Sequence, residues 1–238
     1  MKAMKNGIDI SYCQTKVDWS RVTAEFVIAR AGYGKYVSQK DAMFERHYAG
    51  AKSRGIPIGA YWYSYATDVD GARAEADACI EILKGKQFEY PIYYDVEEPN
   101  QFALGKEKVS AIIRAFLERV EAAGYWVGLY SSYSALTNYV AEDIRTRYAI
   151  WLAHWDVQKS PYSGQYGVWQ YKVGTADGVS GDCDLDYSYV DYPALIKEAW
   201  LNGFSKSEPS EEKPDEPDEI NVEISVSGQK YAGKLKKV

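Results

Sequence analysis

Two acidic residues, Asp95 and Glu97, lie two positions apart in the segment YYDVE, which otherwise has the aromatic and β-branched residues of a buried strand. On a strand this spacing places both side chains on one face, with Cα atoms roughly 6–7 Å apart. When two carboxyl groups share a cavity, the pKa of one rises, so it stays protonated while the other is charged. Glycosidic cleavage needs that division of roles. The alternative to a catalytic pair is a strand end at which both acids are simply solvated. The next residue, Glu98, is predicted to lie on the opposite face of the strand.

Further acids occur in strand-like segments near both ends of the chain. Asp9 lies in GIDIS, and Asp184 and Asp186 lie in CDLDYS. If these segments are the first and eighth strands of a closed barrel, they are neighbours and their acids converge. Burial of an unpaired carboxylate is costly, so acids are seldom kept in strands for packing alone. We therefore expect these acids to lie in one site with Asp95 and Glu97.

Aromatic residues are concentrated in the same segments, in a chain with 22 tyrosines and 7 tryptophans. Flat rings with a polar edge suit the faces and hydroxyls of sugars, although a tyrosine-rich core is an equal alternative. About half of these rings must face the core, and the others could line a groove for pyranose rings. The aromatic residues at the strand ends are Tyr61, Trp62, Tyr63, Tyr65, Tyr94, Tyr130, Trp151, Trp155, Trp169 and Tyr171. His154, in the same region, is predicted to be a structural histidine or a histidine of the groove.

Strand-like and helix-like segments alternate through most of the chain. The first predicted strand contains GIDIS (7–11), and the others are 26–32, 56–65, 90–97, 125–132, 149–155, 166–172 and 183–190. The predicted helices are 39–54, 70–83, 106–123, 134–147 and 192–200. Apolar strands joined by helices imply a mainly parallel sheet. The order predicts an α/β fold, an irregular TIM-like (β/α)5β3 barrel of five β/α units followed by three strands.

The C-terminal part of the chain has a different composition. Residues 1–204 are predicted to form the barrel domain. Residues 205–220 hold seven acids and two lysines, a net charge of −5, which predicts a disordered or extended linker. Residues 221–238 alternate in polarity and read as a short β-hairpin. Because a lone hairpin is marginal in water, this tail is expected to self-associate or to begin a truncated module.

Composition argues against several classes of protein. A net charge of −6 disfavours nucleic-acid binding. The sequence has no run of about 18 apolar residues, so membrane insertion is not expected. Two histidines and three cysteines without C-x-x-C spacing argue against a metal centre, and no cofactor is expected. The first ten residues lack the apolar stretch of a signal peptide. These features predict a protein that is not exported by the general secretory route.

The motifs, taken in chain order, resemble those of glycoside hydrolase family 25, the Chalaropsis-type lysozymes of phages and bacteria. GIDIS, VIARAGYG, GAYWYSYA, YYDVE, GLYSS, IWLAHW, VWQY and CDLDYS carry the resemblance, which covers residues 5 to 200. It implies hydrolysis of the β-1,4 bond between N-acetylmuramic acid and N-acetylglucosamine in peptidoglycan. Together with this resemblance, the missing signal peptide, the single wall-cutting domain and the acidic linker predict a phage endolysin that waits in the host cytoplasm before reaching the cell wall, or else a bacterial autolysin of the wall.

The same resemblance assigns roles to residues. Glu97 matches the proton donor, and Asp95 matches the partner acid that orients or charge-stabilises the 2-acetamido group in a retaining reaction. Asp9 and Asp184 match the accessory acids. The residues that match substrate-binding positions of the groove are Tyr63, Tyr94, Tyr130, Trp151 and Gln170. Asp186 is expected to lie behind this groove, where it supports the residues that contact the substrate. Cys13 and Cys183 are expected to lie close together near the mouth, with or without a bridge.

Two other functions stay open from the sequence. A chitinase-type barrel would carry a D-x-x-D-x-D-x-E pattern, which residues 90–97 (YPIYYDVE) do not have. A non-catalytic glycan-binding barrel would bind sugar strands without releasing reducing ends.

Overall fold

Eight strands close into a barrel in the computed structural model, which describes residues 4–205, 219–226 and 229–236. They pair in chain order and are β1 (Lys5–Ile10), β2 (Phe26–Tyr33), β3 (Ile58–Tyr63), β4 (Ile92–Asp95), β5 (Val127–Ser132), β6 (Ala149–Ala153), β7 (Val168–Thr175) and β8 (Asp182–Ser188). The pairs from β1 through β7 are parallel, whereas β8 is antiparallel to both β7 and β1. The predicted α/β barrel is confirmed.

Seven α-helices accompany the barrel among residues 4–205. They are α1 (Phe44–Ser53), α2 (Val69–Leu83), α3 (Pro99–Phe102), α4 (Lys106–Ala122), α5 (Tyr133–Asn138), α6 (Glu142–Arg147) and α7 (Tyr192–Glu198). The layout differs from the predicted five β/α units, because the segment 11–25 between β1 and β2 contains no helix. That segment instead pairs with the β7–β8 connection through Val17 and Val179. Its sequence has no apolar stripe of helical period that could pack against the barrel.

The reversed direction of β8 follows from the length of its connection. Residues 176–181 are too few for a helical crossover, so β7 and β8 form an antiparallel hairpin. Acids at the beginning of β8 therefore lie at the carboxyl ends of the other strands. Asp184 is directly opposite Asp9 in the β1–β8 register, as the predicted closure between the first and eighth strands requires.

The inside of the barrel is packed with large aromatic side chains below the carboxyl ends of the strands. Phe26, Tyr93 and Trp151 are fully buried there, and Tyr192 and Ile196 of α7 belong to the same cluster. A second cluster of buried residues lies between the strands and the helices. The two clusters together hold the strands at fixed positions around the carboxyl-end opening.

Glycines in the strands provide the space for these rings. A Cβ atom on Gly128 would lie 2.5 Å from Tyr93 Cε1 and 2.6 Å from the carbonyl oxygen of Ala149. We expect Gly128→Ala to lower the free energy of unfolding by about 1–3 kcal/mol, since a buried ring and backbone must shift to admit the methyl group. Urea denaturation would measure this. Gly174→Ala is the control, because its nearest neighbour there is Leu185 Cδ1 at 3.3 Å; equal midpoints for both variants would contradict the prediction.

The chain divides into two compact units, with the boundary between Phe204 and Ser205. In the second unit, β9 (Glu219–Val226) and β10 (Gln229–Lys236) form an antiparallel pair. Most of the predicted linker falls on residues 206–218, which lie outside the described residues. Self-association of the tail stays a prediction. Among the described residues no helix has the length and apolar character to cross a membrane.

Candidate active site

A cavity of about 220 Å³ lies at the carboxyl ends of the strands, and we call it the acid cavity. Its lining residues are Asp9, Arg30, Tyr61, Tyr63, Asp95, Glu97, Tyr130, Trp151, Trp155, Gln170 and Asp184. The structure therefore brings together most of the site residues predicted from the sequence. The two predicted residues that do not line it are Tyr94 and Asp186.

Asp95 and Glu97 both face the acid cavity because the chain stays extended beyond the last residue of β4. The Ser64 N–H donates to the Asp95 carbonyl oxygen at 2.9 Å, and the Val96 N–H donates to the Tyr130 carbonyl oxygen at 3.1 Å. These bonds continue the ladders to β3 and β5 for one more residue. The alternation of a strand then returns Glu97 to the face of Asp95.

The electrostatics of this pair differ between its two members. Burial raises the pKa of Asp95 well above its ordinary value, with the charge of Glu97 acting in the same direction and the Arg30 guanidinium in the opposite one. Glu97 is more accessible at the mouth, yet partial burial raises its pKa too, while the nearby Tyr63 hydroxyl opposes this rise. Asp95 Oδ1 is buried and has no hydrogen-bond partner among the described residues. One oxygen of the pair is thus free to accept a bond from a ligand.

Asp9 and Asp186 form a second, deeper pair of acids. Gln170 Nε2 donates to Asp9 Oδ2 at 2.8 Å, and Trp151 Nε1 donates to Asp186 Oδ1 at 2.7 Å. Burial raises the pKa of Asp9 well above its ordinary value, and the charges of Asp186 and Asp184 add to this rise. Burial also raises the pKa of Asp186 to about 8. Asp186 therefore lies behind the cavity wall, where it fixes the Trp151 ring.

The amide of Gln170 is oriented by two ring donors. The Tyr130 hydroxyl donates to Gln170 Oε1 at 2.8 Å, and Trp155 Nε1 donates to the same oxygen at 2.9 Å. The amide nitrogen is consequently directed at Asp9. Burial, together with the charges of Asp95 and Glu97, raises the pKa of Tyr130 well above its ordinary value, so its hydroxyl remains a donor. Hydrogen bonds thus connect the side chains of the cavity wall on this side.

Tyr94 lies outside the acid cavity, which corrects its predicted groove position. Since Asp95 faces inward, the neighbouring residue on the strand must face the helices. Its ring stacks on Phe116 of α4 with centroids 3.8 Å apart, and its hydroxyl donates to Glu75 Oε2 of α2 at 2.6 Å. The same hydroxyl accepts from Ser64 Oγ at 2.7 Å. Tyr94 therefore holds β3 and β4 against the helices.

We expect Tyr94→Phe to lower the free energy of unfolding by about 1–3 kcal/mol, because buried Glu75 and Ser64 each lose a partner. Thermal or urea unfolding would measure the loss. Tyr189→Phe serves as the matched control, since Tyr189 is 39% exposed. An equal decrease in the free energy of unfolding for the control would show that the hydrogen bonds of Tyr94 to Glu75 and Ser64 do not stabilise the fold.

Sequence reasoning missed two charged residues of the site. Arg30, on β2, lines the acid cavity and donates from Nε to Asp41 Oδ2 at 2.7 Å. Its signal was present as a single arginine within the apolar run FVIARAG. Glu98, predicted to point away, accepts a hydrogen bond from the Tyr63 hydroxyl at 2.7 Å. The chain turns into α3 at Glu98, which ends the strand alternation on which that prediction depended.

The histidine and cysteines have no place in the acid cavity. His154 stacks on Tyr133 with ring centroids 4.8 Å apart, and its Nδ1 contacts Ser160 Oγ at 2.9 Å. Cys13 is exposed and Cys183 buried, and both are free thiols, so the structure contains no bridge between them. Across the described residues, no group of three or more His, Cys, Asp or Glu side chains is arranged to hold a metal ion.

An eight-stranded α/β barrel with paired acids at the carboxyl ends of its strands is the architecture of a glycoside hydrolase. The family model of glycosyl hydrolases family 25 matches residues 8–179, and the chain belongs to this family. The family predicted from the motifs is confirmed.

Three relatives illustrate the likeness. The autolytic lysozyme of Clostridium acetobutylicum is 29% identical over 189 residues, which are 76% of this chain and 54% of the relative. The modular autolysin LytC of Streptococcus pneumoniae, in complex with a synthetic peptidoglycan ligand, is 28% identical with a TM-score of 0.68, covering 79% of this chain and 47% of LytC. The bacterial lysozyme of Streptomyces coelicolor is 25% identical with a TM-score of 0.69, and the match covers 86% of this chain and 100% of that lysozyme. The chain thus spans about half the length of the first two.

Proposed function

We propose that this protein is a lysozyme that hydrolyses the β-1,4 bond between N-acetylmuramic acid and N-acetylglucosamine in peptidoglycan. The observation that carries the proposal is the pairing of Glu97 with Asp95 at the acid cavity, with one buried Asp95 oxygen left without a partner. Family membership and the lysozymes among the relatives support it. The proposed place of action is the bacterial cell wall, for an endolysin or an autolysin alike.

Glu97 is the proposed general acid. Its pKa is raised, and it is the more accessible member of the pair, so it can meet the leaving oxygen at the mouth of the cavity. Arg30 opposes the rise that burial causes in the pKa of Asp95. The proposal places the transferred proton on Glu97 because Glu97 is the member of the pair that is accessible at the mouth. Transfer of this proton to the glycosidic oxygen accompanies cleavage of the bond to the anomeric carbon. Water later returns a proton to the Glu97 carboxylate.

Asp95 is the proposed partner of the 2-acetamido group of the muramoyl residue. Its free Oδ1 would accept the acetamido N–H, which makes the acetamido carbonyl oxygen a better nucleophile. That oxygen attacks the anomeric carbon as the leaving group departs, and water then opens the cyclic intermediate. Two inversions at one carbon retain its configuration. An NMR spectrum of the first product formed would show the β-anomer, and an α-anomer would exclude this mechanism.

The other acids and aromatic residues have supporting roles in the proposal. Asp9 and Asp184 flank the proposed position of the anomeric carbon. Their carboxyl groups stabilise the positive charge that develops on this carbon in the transition state. Tyr63, Tyr130, Trp151 and Gln170 border the same space, where rings and amide groups suit a sugar. These residues define the binding wall rather than the proton path.

The test is digestion of purified cell walls, followed by turbidity and by the new reducing ends. We expect new muramic acid reducing ends, identified as muramitol after borohydride reduction. Clearing without new reducing ends would mean that another bond is cut. Binding of glycan without cleavage would favour the non-catalytic barrel, and cleavage of chitin at an equal rate would favour the chitinase-type alternative.

A further inference from the structure

A second cavity, of about 410 Å³, adjoins the acid cavity, and we call it the side cavity. Its lining residues are Tyr12, Arg30, Tyr33, Lys40, Asp41, Ala42 and Tyr65. Arg30 lines both cavities, and Tyr65 packs on Tyr63 of the acid cavity with ring centroids 5.1 Å apart. A volume of this size is typical of ligand sites. A substrate bound in the acid cavity can therefore extend a branch into the side cavity.

The side cavity is built around one buried acid. Asp41 Oδ2 accepts from Arg30 Nε at 2.7 Å and from the Tyr12 N–H at 3.0 Å, while Oδ1 accepts from the Met43 N–H at 2.8 Å. The Arg30 guanidinium lies over the Tyr12 ring, 4.5 Å from its centroid. Asp41 thus fixes both the cation and the ring. Its own negative charge is offset by Arg30 and is not available to a ligand.

Lys40 adds a positive charge at the rim. Its Nζ is 3.2 Å from Glu45 Oε1, but Lys86 Nζ contacts the same oxygen at 3.2 Å. Glu45 therefore neutralises Lys40 only in part, because it also pairs with Lys86. The lining of the side cavity has two positive charges, on Arg30 and Lys40, and one negative charge, on Asp41. The acid cavity has the opposite balance, with four carboxyl groups beside Arg30. An anionic group on a substrate is repelled by the acid cavity and attracted by the side cavity.

We propose that the side cavity binds the carboxylate-bearing lactyl branch of the muramoyl residue whose glycosidic bond is cut, an inference that rests on the proposed function. This branch starts at the 3-hydroxyl oxygen of the sugar. Its carboxylate is either the lactyl carboxylate itself or one on the attached stem peptide. Lys40 pairs with the carboxylate, and the guanidinium N–H groups of Arg30 that do not bind Asp41 donate hydrogen bonds to it. The half-exposed rings of Tyr12 and Tyr65 cover the apolar part of the branch.

The test compares three small probes by NMR titration of the full chain. N-acetylmuramoyl-L-alanyl-D-isoglutamine carries the peptide, N-acetylmuramic acid carries only the lactyl carboxylate, and N-acetylglucosamine has no branch. We expect Lys40→Gln to weaken binding of a carboxylated probe about fivefold, the size of a strong exposed ion pair, and to leave N-acetylglucosamine unchanged. Weakening of N-acetylmuramic acid would identify the lactyl carboxylate as the anion. Weakening of the peptide probe alone would identify the stem peptide.

Lys108→Gln is the control, because Lys108 is exposed on α4 and lines neither cavity. Equal affinities in the Lys40 and Lys108 variants would overturn the proposal. A second variant, Tyr12→Ala, is expected to weaken the branched probes more than N-acetylglucosamine; a uniform loss on all three would make the side cavity a site for a sugar ring. These affinities do not depend on cleavage, so failure of the reducing-end test would be seen separately.

Discussion

Glu97→Gln is expected to lower the turnover of peptidoglycan by about 10²–10⁴-fold, because general acid catalysis contributes a factor of that order. Glutamine keeps the shape of the side chain at the mouth of the acid cavity but has no proton to give to the leaving oxygen. Asp95→Asn is expected to cause a loss of similar order, since an amide cannot stabilise charge on the acetamido group. Initial rates of formation of muramic acid reducing ends would measure both effects.

Glu107→Gln is the matched control for these variants, because Glu107 is exposed in the first turn of α4. It should keep the wild-type rate. The catalytic variants should be at least as stable as the wild type, since removing one acid from a crowded group relieves repulsion between like charges. A folded Glu97→Gln protein with a rate within tenfold of wild type would exclude Glu97 as the general acid.

Asp186→Asn is expected to stabilise the protein near pH 8 and to change its stability little near pH 4. Burial raises the pKa of Asp186 to about 8 from its ordinary value of 3.8, so between these values the folded protein keeps a proton that the unfolded chain has released. The stability that this group contributes is present below the lower value and is lost as the pH rises through the higher one. Asparagine never ionises, so the variant escapes this loss, which is on the order of several kcal/mol at about 1.4 kcal/mol for each pH unit between the two values.

Urea unfolding at several pH values between 4.5 and 8.5 would measure this difference. The asparagine oxygen can still accept the bond from Trp151 Nε1, so packing behind the cavity wall is kept. Asp182→Asn, on the exposed part of β8, is the matched control for the substitution of an aspartate on the same strand. A stability difference for Asp186→Asn that is constant across the range would rule out titration of Asp186 as its cause.

Much of the fold and of the acid cavity could be predicted because local chain properties encode them. Alternation along β4 places Asp95 and Glu97 on one face, and the same rule would have excluded Tyr94 from the cavity. The order of strands and helices implied closure, and closure implied that Asp9 lies beside Asp184. The predicted layout of five β/α units needs a helix after the first strand, but residues 11–25 contain none, and Val17 pairs instead with Val179 of a loop distant in the chain.

What the sequence by itself determined is therefore the barrel, the family and the identity of the acids, since periodicity and motif order depend on neighbours in the chain. Only the tertiary structure decided which charges those acids meet. Gln170 is 161 residues from Asp9 yet donates to it, and Arg30 on β2 lies near Asp95 on β4. The pKa of each acid and the free oxygen of Asp95 depend on such distant contacts, because electrostatic energy is set by separation in space and by burial rather than by position in the chain.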